Sequence, residues 1–166
     1  MRKTILSAVA LVLPFGAAQA APANTSSASG SATATVVAPI VLTHTTSAAL
    51  NFGKFTSGTT SGTIAVSAAG AATASGDVTL LPGSASSADS FAVAGEAGRA
   101  FSIATTNGSV TNGAASMTFT TSPSSVSGTL GSGGTATFTV GGTLSVPASA
   151  TAGSYSGSYS ATVTYN

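Results

Sequence analysis

Gly153-Ser154-Tyr155-Ser156-Gly157-Ser158-Tyr159-Ser160-Ala161-Thr162-Val163-Thr164-Tyr165-Asn166 is the stretch from which the fold of this chain is read. From Tyr155 onward every second residue is Tyr, Gly, Tyr, Ala, Val, Tyr, and every residue between them is Ser or Thr. Successive side chains of a β-strand point to opposite faces, so a period of two predicts a strand over 153–165. Its tyrosines, Ala161 and Val163 share a face expected to be buried, while the hydroxyls face water.

The same period recurs at the other end. In residues 32–43, Ala32, Ala34, Val36, Ala38, Ile40 and Leu42 have one parity, and Thr33, Thr35, Val37, Pro39, Val41 and Thr43 the other. Proline cannot donate to a ladder, so Pro39 divides the stretch into strands near 31–38 and 40–46. Further strands are expected near 62–68, 76–81, 89–94, 99–105, 116–121 and 134–146. Pro82-Gly83, Asn107-Gly108, Asn112-Gly113 and Gly131-Ser-Gly-Gly134 read as turns between them. No window outside the first twenty residues keeps a helical period. Regular short strands of this kind predict an all-β sandwich with Greek-key connections. Phe52, Phe55, Phe91, Phe101, Phe119 and Phe138 fall mostly one to a strand, as core residues would.

Residues 1–20 read as a secretory signal: Arg2 and Lys3, an apolar run from Ile5 to Phe15, then Ala18-Gln19-Ala20. Without it, Lys54 and Arg99 stand against Asp77, Asp89 and Glu96, and no basic patch remains for a nucleic-acid backbone. Residues 21–38 form an extension whose first part is only small residues, and 39–166 the domain. Charged residues make up 4% of the chain while 43% are hydrophobic, so it should collapse, yet it has little charge to keep a lone monomer soluble. That balance suits a subunit of an assembly. There is no cysteine, which removes disulfides and thiol chemistry.

Catalytic machinery is not evident. His44 is the one histidine, no Gly-x-Ser-x-Gly elbow occurs, and His44 is expected to face solvent at a strand end. Asp77 and Asp89 read as turn residues, and Glu96 as a surface partner for Arg99 worth little to stability. No Asp-rich loop offers a calcium site, and one histidine with scattered acids is a poor zinc site. The expectation is no enzyme, no cofactor and no metal. An isopeptide link through Lys54, or an ice- or sugar-binding face made by the many Ser and Thr residues, has no supporting pattern.

The C-terminal strand resembles that of chaperone–usher pilus subunits: Gly153 stands fourteenth from the end and Tyr165 is penultimate and aromatic. Ala32-Thr-Ala-Thr-Val-Val-Ala-Pro-Ile-Val-Leu42 resembles the start of major subunits of the alpha-type branch, and Ala152-Gly-Ser-Tyr-Ser-Gly157 is similar to a stretch of the same branch. The overall make-up is also similar to an uncharacterised family of Ala/Gly/Thr-rich secreted proteobacterial β-domains. The resemblance implies an incomplete immunoglobulin-like β-sandwich, completed by a donor strand from the next subunit in a head-to-tail homopolymer. Ala32, Ala34, Val36 and Ala38 would be the donor residues. Gly153, Tyr155, Gly157, Tyr159, Ala161, Val163 and Tyr165 would form the strand that edges the acceptor groove and meets a periplasmic chaperone before an outer-membrane usher. The implied product is an extracellular fimbria, with a host or surface receptor as a further partner. A secreted carbohydrate-binding adhesin module and a coat protein of similar fold are the alternatives.

Overall fold

The computed structural model describes residues 24–166. The expected signal at 1–20, and residues 21–23 of the extension, lie outside the described residues. Residues 24–35 belong to one unit and residues 36–166 to another. In the first, residues 24–35 carry no strand or helix and are exposed throughout.

The second unit is an antiparallel β-sandwich, and no helix occurs among the described residues. Its strands are β1 (Val41–His44), β2 (Phe55–Val66), β3 (Ala72–Leu80), β4 (Asp89–Ala94), β5 (Ala100–Thr105), β6 (Gly108–Asn112), β7 (Ala115–Pro123), β8 (Ser127–Thr129), β9 (Thr135–Val146), β10 (Ser156–Ser158) and β11 (Ala161–Tyr165). The larger sheet runs β1-β4-β9-β7-β6-β10, with β2 also paired to β9 and β3 to β2; the smaller runs β11-β5-β8. Neighbours such as β1 and β4, or β4 and β9, are distant in sequence, so the connections cross over as in a Greek key. The long strand β9 organises the larger sheet. Its first half pairs with β4, and its second half pairs with β7 and β2.

Alternation explains the core. Along β9, Phe138, Val140, Leu144 and Val146 are buried. In β4 the alternation puts Phe91 and Val93 inside and Ala92 and Ala94 outside. Two apolar clusters result. One gathers Phe52, Ile64, Val66, Val78, Met117, Phe119, Leu144 and Val146; the other gathers Phe91, Val93, Phe101, Ile103, Leu130, Phe138 and Val140. Each fully buried side chain of this size contributes roughly 1.5–3 kcal/mol, and this burial stabilises a domain without disulfides. Five of the six expected core phenylalanines are buried, while Phe55 is half-buried against the first cluster.

The strands depart from the sequence reading in instructive places. Residues 31–38 carry no strand in the single chain, because a strand exists only where its backbone groups find a ladder partner. The second expected strand is the shorter Val41–His44. Strand β2 starts at Phe55, well before 62, because Phe55-Thr-Ser-Gly-Thr-Thr-Ser has no alternation to betray it and is held by pairing to β3 across an irregular register. Strands β6 and β8 were not expected. Asn107-Gly108 is not a hairpin turn; Gly108 opens β6, and a β-carbon there would come within 2.6 Å of the Phe119 ring. Asn112-Gly113 is the true turn of the β6–β7 hairpin, with Gly113 at φ 59°.

The expected single strand over 153–165 is two strands. Ser156–Ser158 pair with β6 in the larger sheet and Ala161–Tyr165 with β5 in the smaller. The partner chain crosses with it: the Thr106 N–H donates to the Ser160 carbonyl at 2.9 Å, and the Ser160 N–H to Thr106 Oγ1 at 2.9 Å. The pairing register slips by one residue at this crossing, the extra residue lying on the Asn107-Gly108 side. A bulge of this kind bends a ribbon from one sheet to the other.

Candidate functional site: an open groove beside the C-terminal strands

Strands β1 and β10 are the two ends of the larger sheet's path, and β11 ends the smaller one. Each therefore has one edge without a ladder partner. Between the segments at 44–57 and 150–159 the sandwich stays open, and Ala161, Val163 and Tyr165 line neither of the cavities found there. A cavity of about 740 Å³ is lined by Leu50, Phe52, Phe55, Val110, Met117, Leu144 and Tyr155, among others. A second, of about 410 Å³, is lined by His44, Asp89, Phe91, Phe119 and Tyr159. Leu50, Phe52, Val110 and Gly157 line both, so the two form one groove whose floor is the core itself.

The expected groove residues are placed as follows. Tyr155, Tyr159, Ala161, Val163 and Tyr165 are all half-buried, and the residues between them are exposed. Tyr155 packs on the first core cluster, Ala161, Val163 and Tyr165 on the second, and Tyr159 on both. Gly153 precedes the strands and lines the larger cavity. Gly157 lines the groove, but its lack of a side chain serves the neighbouring strand: a β-carbon would run into the Ser109 carbonyl. Of the expected donor residues, Ala32 and Ala34 are exposed and outside any strand, and Val36 is 95% exposed. Ala38 is exposed too, but its backbone is engaged: its N–H donates to Glu96 Oε2 and its carbonyl accepts from the Tyr165 hydroxyl.

A polar cluster in the groove wall was not anticipated. Asp89 is only 5% exposed, the one buried charged residue among those described. Its Oδ2 accepts from the Tyr159 hydroxyl at 2.8 Å; its Oδ1 accepts from the Ser90 N–H at 2.8 Å and lies 2.6 Å from His44 Nε2. A carboxylate only accepts, so His44 Nε2 carries the proton in this contact. His44 is exposed at its strand end, as expected, with 49% of its side chain accessible, but its contact with Asp89 was not foreseen. His44 shares the inward parity of Ile40 and Leu42, and its ring lies 5.1 Å from that of Phe91. Asp89 is not a turn residue but the first, inward-facing residue of β4. Burial first, then the hydrogen bond and charge of Asp89, push the Tyr159 phenol far above its ordinary range. The ring of Tyr159 meets Phe91 and Phe119 edge-on, at 6.3 Å and 6.2 Å, and so joins the two clusters where the strand changes sheets.

The remaining charges also differ from expectation. Asp77 lies within β3, exposed, and accepts from the Thr60 N–H at 3.1 Å. Glu96 does not pair with Arg99 through its carboxylate; the Arg99 guanidinium sits 5.7 Å from the Tyr165 ring centre instead. No group of three or more metal-ligating side chains occurs among the described residues.

An antiparallel sandwich with an apolar groove between unpaired edges is the class that fold and site define. The chain belongs to the family described as Domain of unknown function (DUF4402), whose model matches residues 42–165, from β1 to the penultimate tyrosine. No curated protein and no solved structure matches it.

Proposed function

We propose that this chain is a structural subunit of an extracellular fimbria, polymerising head to tail by strand addition. The observation that carries the reading is the groove, an apolar floor continuous with the core and edged by strands whose outer backbone groups lack a ladder partner. Such an edge takes up an extended segment, with backbone hydrogen bonds for affinity and alternate side chains for pockets. The chain itself carries a suitable segment in residues 31–38, which alternates small apolar residues with hydroxyls up to Val36, is about 26 Å long when extended, and forms no strand within the chain. Ala32, Ala34, Val36 and Ala38 are the donor residues in this reading. Their burial contributes on the order of 5 kcal/mol, with ladder bonds added. A donor segment and a groove at different places on one chain make the contact heterologous and open, which generates filaments.

In the same reading the chain is exported through the periplasm, where a chaperone covers the groove, and leaves through an outer-membrane usher. Electron microscopy with subunit identification by mass spectrometry tests it, comparing cells that produce the full chain with cells that produce one lacking residues 21–38. Filaments are expected only from the first. Normal filaments from the truncated chain, or none from either, would overturn the reading.

A further inference from the structure

We infer that Ala38, Glu96 and Tyr165 form a clamp that disfavours insertion of the extension into the groove of its own chain and so commits it to a second copy; this rests on the strand-addition reading above. Three hydrogen bonds close a ring. The Ala38 N–H donates to Glu96 Oε2 at 3.2 Å, the Glu96 N–H donates to the Tyr165 hydroxyl oxygen at 2.7 Å, and the Tyr165 O–H donates to the Ala38 carbonyl at 3.0 Å. Both backbone groups of the residue that roots the extension are thereby taken. The hydroxyl has been given room: a β-carbon on Gly95 would collide with it.

The clamp matters because of where the extension joins the domain. Ala38 lies three residues before β1, and β1 is one border of the groove. Parallel neighbours need a connection of a dozen or more residues, so so short a link permits self-insertion only as a hairpin with β1. A tight turn over 38–41 would have the Ala38 carbonyl accept from the Val41 N–H. That carbonyl is instead bound by Tyr165, and Ile40, which would become a central turn residue, is packed against the second core cluster. Self-insertion must break the ring and unpack Ile40. Insertion of residues 32–36 into another copy breaks neither, with the Ala38 backbone held on its own domain.

The absence of cysteine makes the test direct. The full chain carrying Ser31→Cys and Ser156→Cys, both exposed and the second beside the groove, is spin-labelled and diluted into excess unlabelled chain. Pulsed electron paramagnetic resonance then separates the narrow, short distance of self-inserted molecules from the broad distribution of an extension that has no ladder partner. The self-inserted population is expected to be minor. Tyr165→Phe, which keeps the ring and removes two of the three hydrogen bonds, should raise it roughly fivefold or more, since one net hydrogen bond is about a fivefold factor. Gly95→Ala should act in the same direction with the tyrosine intact. An unchanged short-distance population in both variants would overturn the clamp while leaving strand addition standing. No short distance even in undiluted, fully labelled protein would overturn strand addition, and the clamp with it.

Discussion

Residues 31–38 and residues 155–165 have the same period of two, yet only the second run is folded into ladders. Residues 156–158 and 161–165 are hydrogen-bonded to β6 and β5 and half-bury their tyrosines, while residues 31–38 have no ladder partner and leave Val36 almost fully exposed. Alternation therefore records a capacity to be a strand, and the partner decides whether the capacity is used. The difference also assigns the two runs different energetics. Substitutions in the first should act on association between copies, and substitutions in the second on the stability of the domain itself.

The largest expected effect is in the C-terminal run. Val163→Asp places a carboxylate against Ile103 and the second core cluster, and should destabilise the domain by roughly 3 kcal/mol or more in urea unfolding. Thr164→Asp, on the exposed parity, should stay within about 0.5 kcal/mol. Equal costs would show that the run is not alternating in solution. Next in size is Asp89→Ala, which strands the Tyr159 hydroxyl at the crossing between sheets and should cost about 1–3 kcal/mol by the same measurement. Tyr159→Phe together with Asp89→Ala should cost less than the sum of the two single changes, as partners of one bond do.

A smaller effect is set by pH. The phenol of Tyr159 titrates higher in the folded than in the unfolded chain, so its contribution to stability is fully present below the ordinary tyrosine pKa of 10.0 and fades as pH rises above it. Alkaline titration of stability should therefore slope downward above about pH 10 more steeply in the wild type than in Tyr159→Phe. Identical slopes would mean that the phenol is neither buried nor held by Asp89 in the folded chain. The smallest effect on stability belongs to the extension: Val36→Asp should leave the urea midpoint unchanged within error, yet abolish capture of one copy by another in a sedimentation assay. A measurable loss of monomer stability would break the comparison.

Fold class was legible because β-branched and aromatic residues alternate over most strands, and a two-sided solvent environment forces that pattern. What escaped has physical causes. Strand β2 begins in a run of Thr, Ser and Gly whose small side chains carry no contrast between the two faces. Asn107-Gly108 looks like a hairpin turn, but its glycine answers a close approach, since a β-carbon there would meet the Phe119 ring and the Ser158 carbonyl. In the C-terminal run, the half-buried face of Tyr155, Tyr159, Ala161, Val163 and Tyr165 was placed by parity alone. The burial of Asp89 was not, nor was the contact that the exposed His44 makes with it. A buried carboxylate is legible only once its partners, forty-five and seventy residues away, are brought beside it.

Strand β9 has a kinetic consequence. Its partners β2, β4 and β7 all precede it in the chain, and it joins them into one sheet. Before residues 135–146 are available, the pairings between consecutive strands among the described residues are the β2–β3 and β6–β7 hairpins. The rest of the ladder network spans long sequence separations, and domains built that way close in milliseconds to seconds rather than microseconds. Synthesis, at roughly 5–20 residues per second, therefore delivers most of this chain before its sheet can close. Early hairpins and late closure leave an open, strand-rich polypeptide for as long as the residues from Thr135 onward are missing.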